Sequence, residues 1–291
     1  MAVVGVAGAG VMGVGVAQSL AHAGHDVILV DLSAEILERA RDEIARNCRM
    51  SRLLGGPAVD AGAVLDAVRG EVGPAGLGRA EFVIENITED VDRKREFYRE
   101  LDRICTPTAV LVANTSVIPI TRIAAATSRP ERVVGVHFMN PVPLKPVVEL
   151  IPGFHTSAET LRRTRELLAG MGKRSVEVKD SAGFVSNRVL MLTVNEAANL
   201  VHEGVADADA VDQVFRGCFG HPMGPLETAD LIGIDTILHS VQALYEHFAD
   251  ARFRPCPLLR TMTDAGLLGR KSGRGFYDYR TATQNGRRDA A

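Results

Sequence analysis

The stretch VAGAGVMGVGVA, residues 6–17, carries Gly8, Gly10 and Gly13 in the spacing G-x-G-x-x-G. It follows an apolar run typical of a strand and opens a segment typical of a helix. A tight turn needs the first glycine, close backbone approach to a pyrophosphate needs the second, and helix–strand packing needs the third. The stretch therefore predicts a strand–turn–helix unit that binds a dinucleotide.

The residue that would choose between dinucleotides is Asp31, which closes the second apolar run, DVILVD. A carboxylate at this place accepts hydrogen bonds from the ribose hydroxyls and repels a 2′-phosphate. Leu32 follows it, where an arginine would favour the phosphorylated cofactor. These residues favour NAD over NADP.

Apolar runs alternate with helical patterns up to about residue 180, and their Val, Ile and Leu content is typical of strands covered on both faces. The predicted strands are residues 2–8, 26–31, 81–86, 109–115, 133–138, 147–151 and 175–180. This alternation predicts an α/β fold with a doubly wound, mainly parallel sheet. Residues 49–80 are interpreted as a helical excursion with Gly/Pro loops.

The pattern changes after residue 181, where three helices are predicted at 186–204, 207–217 and 235–248 and no strand pattern appears before the tail. We therefore expect two domains, a Rossmann-type NAD-binding domain over 1–181 and an all-helical domain over 182–291. The tail after about residue 280 lacks apolar periodicity and is expected to be disordered.

Composition narrows the class of protein. Of 291 residues, 46% are hydrophobic and 24% charged, and the net charge of −3 argues against nucleic-acid or membrane-surface partners. No apolar run reaches the roughly 18 residues of a membrane span. We expect no signal peptide before the first strand. The four cysteines form no Cys-x-x-Cys pair, so we expect no zinc site, no disulfide framework and a cytoplasmic location.

A candidate catalytic site lies in GVHFMNPVPLKPVVEL, residues 135–150. By itself, this pattern also fits a satisfied buried histidine near a turn. With a dinucleotide at the carboxyl ends of the strands, however, His137 becomes a candidate base for a hydroxyl proton. Glu149, returning on the adjacent strand, could hold the imidazole and stabilise its charge. Hydroxyl and amide groups of Ser116, Asn114 and Asn140 could hydrogen-bond the reacting oxygen.

Seven ordered motifs resemble the 3-hydroxyacyl-CoA dehydrogenase family, in its short form close to bacterial 3-hydroxybutyryl-CoA dehydrogenases. The resemblance covers about residues 2–280 and rests on GAGVMGVGVAQSLAHAGHDVILVD, VIENITEDVDRKREF, ANTSVIPIT, GVHFMNPVPLKPVVEL, DSAGFVSNRVL, GHPMGPLETADLIGIDT and GLLGRKSGRGFYDY. It implies an NAD-dependent enzyme of fatty acid metabolism. The enzyme would oxidise an L-3-hydroxyacyl-CoA thioester to the 3-ketoacyl thioester, or catalyse the reverse reduction.

The resemblance also assigns roles to residues. It implies that His137 and Glu149 form the catalytic pair and that Ser116 and Asn187 bind the substrate's oxygens, with Asn140 beside the histidine. The residues expected on the cofactor side are Gly8, Gly10, Val11, Met12, Gly13, Asp31, Glu89, Lys94, Asn114, Ser116 and Asn140. The helical domain is expected to form a homodimer and to contribute to the substrate site. Asn187 has a second interpretation, as a plain N-terminal cap of its helix.

The sequence departs from the family pattern in several places. Asn86 stands where a small residue is usual, Val117 where a second hydroxyl is usual, and Lys145-Pro146 precedes the strand of Glu149. CRMSRLLGG, residues 48–56, lacks the lysine-rich turn that meets the CoA nucleotide, and Arg49 and Arg52 are candidate replacements because arginine pairs well with phosphate.

These departures leave the substrate's handle open. The alternatives are a 3-hydroxyacyl group on an acyl carrier protein in a biosynthetic pathway, and a free hydroxy acid such as L-gulonate. A third alternative is a non-enzymatic NAD-binding protein, as lens crystallins of this superfamily illustrate.

Overall fold

The computed structural model describes residues 1–53 and 60–280, without the side chains of residues 51–53. The expected disorder of the tail beyond residue 280 and the side chain of Arg52 lie outside the described residues. The chain divides into two compact units, Met1–Phe184 and a second unit that begins at Val185.

The first unit is built on one eight-stranded sheet in the order β3-β2-β1-β4-β5-β6-β7-β8. Neighbouring strands are parallel except β6 and β7, which are antiparallel. The strands are β1 Val3–Ala7, β2 Asp26–Asp31, β3 Val68–Val72, β4 Phe82–Glu85, β5 Val110–Ala113, β6 Val133–His137, β7 Val147–Pro152 and β8 Arg174–Glu177. The predicted doubly wound sheet is confirmed, and its strand order reverses between β1 and β4, which is where such sheets bind ligands.

Helices accompany this sheet: α1 Val11–His22, α2 Ala34–Leu53, α3 Ala61–Ala67, α4 Val91–Ile104, α5 Ile120–Ala124 and α6 Ala158–Gly170. α4 begins where the carboxylate of Asp90 accepts hydrogen bonds from the backbone N–H groups of Asp92 and Arg93. It buries Lys94, Tyr98 and Leu101, which lie on one face at helical spacing. Lys94 is the charged residue of this buried face, and its contacts belong to the candidate site described below.

Strand β3 corrects the interpretation of residues 49–80 as a helical excursion with loops. VRGEV pairs with β2 in parallel register and forms an edge of the sheet. An edge strand covers less apolar surface, and here only Val68 is buried. Two charges and a glycine therefore hide the strand pattern.

The second unit consists of helices α7 Ser186–His202, α8 Ala208–Phe219, α9 Pro225–Ile232, α10 Ile234–Phe248 and α11 Pro257–Asp264. In the part of this unit that is described, extended pairing is limited to isolated bridges among Gly269, Arg274 and Asp278. The all-helical prediction is confirmed. None of the described helices in either unit is long and apolar enough to cross a bilayer.

Candidate active site

The glycine-rich turn between β1 and α1 has the shape of a pyrophosphate cradle. Gly8 adopts φ +90°, a conformation that favours glycine. A Cβ on Gly13 would lie 1.7 Å from the carbonyl oxygen of Gly8, whereas a Cβ on Gly10 would meet nothing within 4 Å. Gly13 thus closes the turn and Gly10 keeps its outer side open, next to the exposed Val11 at the start of α1 and the half-buried Met12.

Asp31 joins this turn to the end of β2. Its Oδ2 accepts a hydrogen bond from the backbone N–H of Ala9 at 2.6 Å, and its Oδ1 accepts one from Leu32 N–H at 2.7 Å. A groove of about 600 Å³ runs past these residues and is lined by Gly8, Gly10, Asp31, Leu32, Asn86 and Arg93 among others. The backbone N–H groups at the start of α1, a carboxylate at the end of β2 and a groove of this size fit a dinucleotide.

The antiparallel pair of strands places His137 directly opposite Glu149. Nδ1 of His137 lies 2.7 Å from Oε2 of Glu149, and each side chain is 9% exposed. With Glu149 ionised and the imidazole neutral, Nδ1 is the nitrogen that carries the proton, because an ionised carboxylate only accepts hydrogen bonds, and Nε2 is then the acceptor nitrogen. Nε2 lies 3.1 Å from Oγ of Ser116, so a carboxylate, an imidazole and a hydroxyl form one hydrogen-bonded chain.

The segment that holds Ser116 is fixed by Glu89. Oε1 of Glu89 accepts hydrogen bonds from Ser116 N–H at 3.0 Å, Val117 N–H at 3.2 Å and the hydroxyl of Thr115. Glu89 thus orients the segment of the serine, and its expected place on the cofactor side stays a prediction.

Two asparagines connect the strand ends beside the histidine. Asn114 donates from Nδ2 to Oδ1 of Asn86 at 2.7 Å, and its own Oδ1 accepts from Phe138 N–H at 3.2 Å. Asn86, the departure from the small residue usual in the family, is thereby the partner of a predicted site residue. The ring of Phe184 lies 5.9 Å from that of His137, centroid to centroid.

Beneath these strand ends lies a buried ion pair. Lys94 is fully buried, and its ammonium donates to Oε1 of Glu85 at 2.6 Å and to the carbonyl oxygen of Asn114 at 3.2 Å. Burial raises the pKa of Glu85, and the neighbouring Lys94 acts against that rise. The Lys94 ammonium thus connects the end of β4 to the segment after β5, and its expected place on the cofactor side stays a prediction.

Sequence reasoning did not single out Glu85. The sequence feature that could have found Glu85 is its position at the end of the otherwise apolar run FVIE. A carboxylate at the end of a buried strand needs a partner, because burying an unpaired charge is costly.

Asn140 and Asn187 lie in different units. Asn140 is exposed in the turn between β6 and β7, where its peptide bond to Pro141 is cis. With Gly10 it lines a cavity of about 810 Å³ beside α1 and α2. Asn187 is buried in the first turn of α7, whose N-cap is Val185 without a side-chain cap bond. The interpretation of Asn187 as the helix cap is therefore wrong.

Comparison with known proteins gives the same family along the whole chain. The NAD binding domain of 3-hydroxyacyl-CoA dehydrogenase matches residues 3–181, and the C-terminal domain of that family matches residues 183–279. A probable 3-hydroxybutyryl-CoA dehydrogenase of Bacillus subtilis is 46% identical over 282 residues, covering 96% of this chain and 97% of that protein.

Two further relatives agree. The 3-hydroxybutyryl-CoA dehydrogenase of Bradyrhizobium diazoefficiens is 44% identical over 282 residues, covering 96% of each protein. The crystal structure of (S)-3-hydroxybutyryl-CoA dehydrogenase from Ralstonia eutropha is 39% identical and matches with a TM-score of 0.89 over 96% of this chain and 99% of that chain.

Proposed function

Because this chain belongs to the 3-hydroxyacyl-CoA dehydrogenase family, we propose that it interconverts (S)-3-hydroxybutyryl-CoA and acetoacetyl-CoA with His137 as the proton carrier. The chain is an NAD-dependent dehydrogenase of 3-hydroxyacyl-CoA thioesters. The observation that carries the proposal is the hydrogen-bonded chain from Glu149 through His137 to Ser116. The short acyl group follows the relatives named above.

In the proposed oxidation, His137 accepts the proton of the substrate's 3-hydroxyl at Nε2. That nitrogen is the acceptor because Nδ1 holds its proton toward Glu149. Bound NAD would supply the acceptor for the hydride of C3. The imidazole becomes cationic as it takes the proton, and Glu149 stabilises that charge in a site that is largely shielded from water.

The remaining roles are part of the same proposal. Ser116 now donates to Nε2 of His137, and it can turn its hydroxyl to the substrate oxygen as that oxygen becomes a ketone. We assign substrate contacts also to Asn140 and Asn187. Residues 1–181 are the NAD-binding domain in this proposal, and the part of the chain from residue 182 provides substrate and dimer contacts.

The test is a steady-state assay of NADH formation from (S)-3-hydroxybutyryl-CoA. His137→Gln should lose about 2–4 kcal/mol of transition-state stabilisation, the usual share of a general base. His155→Gln, an exposed histidine in the same unit, is the matched control and should keep wild-type activity. Full activity of a folded His137→Gln variant would refute the role.

The acyl handle is tested with the same enzyme and NADH. Acetoacetyl-CoA, acetoacetyl carrier protein and the oxidised product of L-gulonate are compared as substrates. The proposal expects the highest kcat/KM for the CoA thioester, and a preference for the carrier protein would contradict it.

The proposal extends to assembly and location. A homodimer is supported by apolar side chains exposed on the second unit, among them Val189, Val205, Val214, Phe219 and Leu231. Sedimentation equilibrium should give twice the chain mass. We propose a cytoplasmic location, which is supported by four cysteines that form no disulfide. A place in fatty acid metabolism is part of the proposal because of the 3-hydroxyacyl-CoA dehydrogenase family.

A further inference from the structure

Lys173, between α6 and β8, is a buried lysine that the proposed mechanism does not use. It is 7% exposed, and its ammonium donates hydrogen bonds to the carbonyl oxygens of Val142 at 2.5 Å and Lys145 at 2.9 Å. Within residues 1–53 and 60–280 no carboxylate forms an ion pair with it, and burial lowers the pKa of Lys173. A desolvated ammonium is costly, so the two carbonyls are its compensation.

Both carbonyls belong to one segment, residues 138–146, which we call the active-site turn. The active-site turn joins β6 to β7, so the proposed catalytic pair flanks it: His137 directly precedes the turn, and Glu149 is the third residue of β7. Its backbone bonds to itself run from Leu144 N–H and Lys145 N–H to the carbonyl oxygen of Pro141, at 3.0 and 3.2 Å. Lys173 binds this short helical turn from outside, near its beginning and at its end.

The active-site turn also forms a wall of the cavity beside the glycine-rich cradle. Val142 packs so closely against α1 that a Cβ added at Gly15 would lie 3.0 Å from the Cβ of Val142. Asn140, Pro143 and Leu144 line the 810 Å³ cavity together with Gly10. The position of the turn therefore sets both the width of this cavity and the place of the Asn140 amide.

A buried lysine is a poor choice if stability is all that is required. Replacing buried charges by apolar side chains of similar size is often neutral or stabilising. A methionine would fill the same space, but it has no N–H group to donate to the carbonyl oxygens of Val142 and Lys145. The hydrogen bonds, and the geometry they impose, are what the lysine adds.

We propose that Lys173 is a positioning residue that fixes the active-site turn, and with it Asn140 and one wall of the cavity, for the acyl thioester. The inference rests on the proposed function, since it names the substrate that the turn would receive. Lys173 acts through the turn and contacts no reacting atom in this proposal.

The test compares Lys173→Met with Lys145→Met, an exposed lysine in the same turn. In Lys173→Met, kcat/KM for (S)-3-hydroxybutyryl-CoA should fall about 10- to 100-fold, because small misplacements of positioning groups have effects of that size. Hydrogen exchange at the amides of Leu144 and Lys145 should accelerate. Lys173→Arg keeps the donors and should recover part of the loss. Lys145→Met should behave as wild type.

Wild-type kinetics and exchange in Lys173→Met would overturn the inference. So would a lower melting temperature with unchanged kcat/KM per folded molecule, because that result means a stability role alone. If Lys173→Met does not fold, Lys173→Gln replaces it under the same criteria, since its shorter amide cannot span both carbonyls. A wild-type enzyme inactive on the thioester would refute the proposed function instead, and the exchange data would still decide whether Lys173 fixes the turn.

Discussion

Replacing Glu149 by glutamine tests whether the carboxylate stabilises the charge that forms on His137. Glutamine keeps the size and an acceptor oxygen, so the ring can stay in place while the charge is lost. Hydrogen bonds to charged groups contribute about 1.5–3 kcal/mol. At 2.7 Å and with both side chains 9% exposed, little solvent screening weakens this one. We therefore expect kcat/KM to fall about 10- to 150-fold, the same energy expressed as a rate.

The assay follows NADH in both directions, with (S)-3-hydroxybutyryl-CoA and with acetoacetyl-CoA. Because a catalyst cannot change the equilibrium constant, the loss must appear in oxidation and in reduction alike. Glu177→Gln, on the neighbouring strand β8 and exposed, is the matched control and should be unaffected. A Glu149→Gln enzyme with wild-type kcat/KM, or one impaired in a single direction, would refute the reasoning.

Three further outcomes follow from the same structure. Gly13→Ala should lower the melting temperature and abolish NAD binding, because the new Cβ would collide with the Gly8 carbonyl. Gly10→Ala should fold normally and lose only NAD affinity, because its Cβ would meet nothing within 4 Å. Calorimetry measures both the melting temperature and the NAD affinity of each variant. Lys94→Met should lower the free energy of unfolding in urea by about 3–5 kcal/mol, because it leaves the Glu85 carboxylate buried without its cation. Adding Glu85→Gln should restore much of that stability, and equal stability of the single and double variants would contradict the pairing. Burial raises the pKa of the Cys105 thiol to about 11, and Cys48 and Cys256 are buried as well. Alkylation of the native protein at mildly alkaline pH should therefore spare these three cysteines, which mass spectrometry can check.

The sequence was informative where local pattern and burial coincide. Strands β1 and β5 are apolar along their whole length because both of their faces are largely buried, and the apolar run itself reveals them. The sequence did not predict strand β3, because an edge strand can form without a continuous apolar run. The glycine spacing found the cradle because each glycine answers a local steric demand.

The supporting residues of the site were not visible in the same way. Lys173 is 28 residues from Lys145 along the chain, and nothing near it in sequence announces a buried ammonium. Asn86 acquires its meaning only when β4 and β5 lie side by side and Asn114 reaches it. Such residues depend on tertiary partners, and a single sequence does not name those partners.

The direction of β7 is the step that turns a pattern into a candidate dyad. In a parallel sheet, the strand after β6 would return through a crossover, and its acidic residue would lie at the level set by that crossover. Here β7 runs back along β6, and the register pairs His137 with Glu149 across the strands. Directly opposed residues project to the same face of a sheet, and a slip by one residue would send the carboxylate to the other face. The active-site turn must therefore do two things at once: present Asn140 to the cavity and keep this register. These two requirements are a physical reason for Lys173 to bind the turn at two carbonyls. They predict that variants which loosen the turn impair the His137–Glu149 pair as well as the cavity wall that the turn forms.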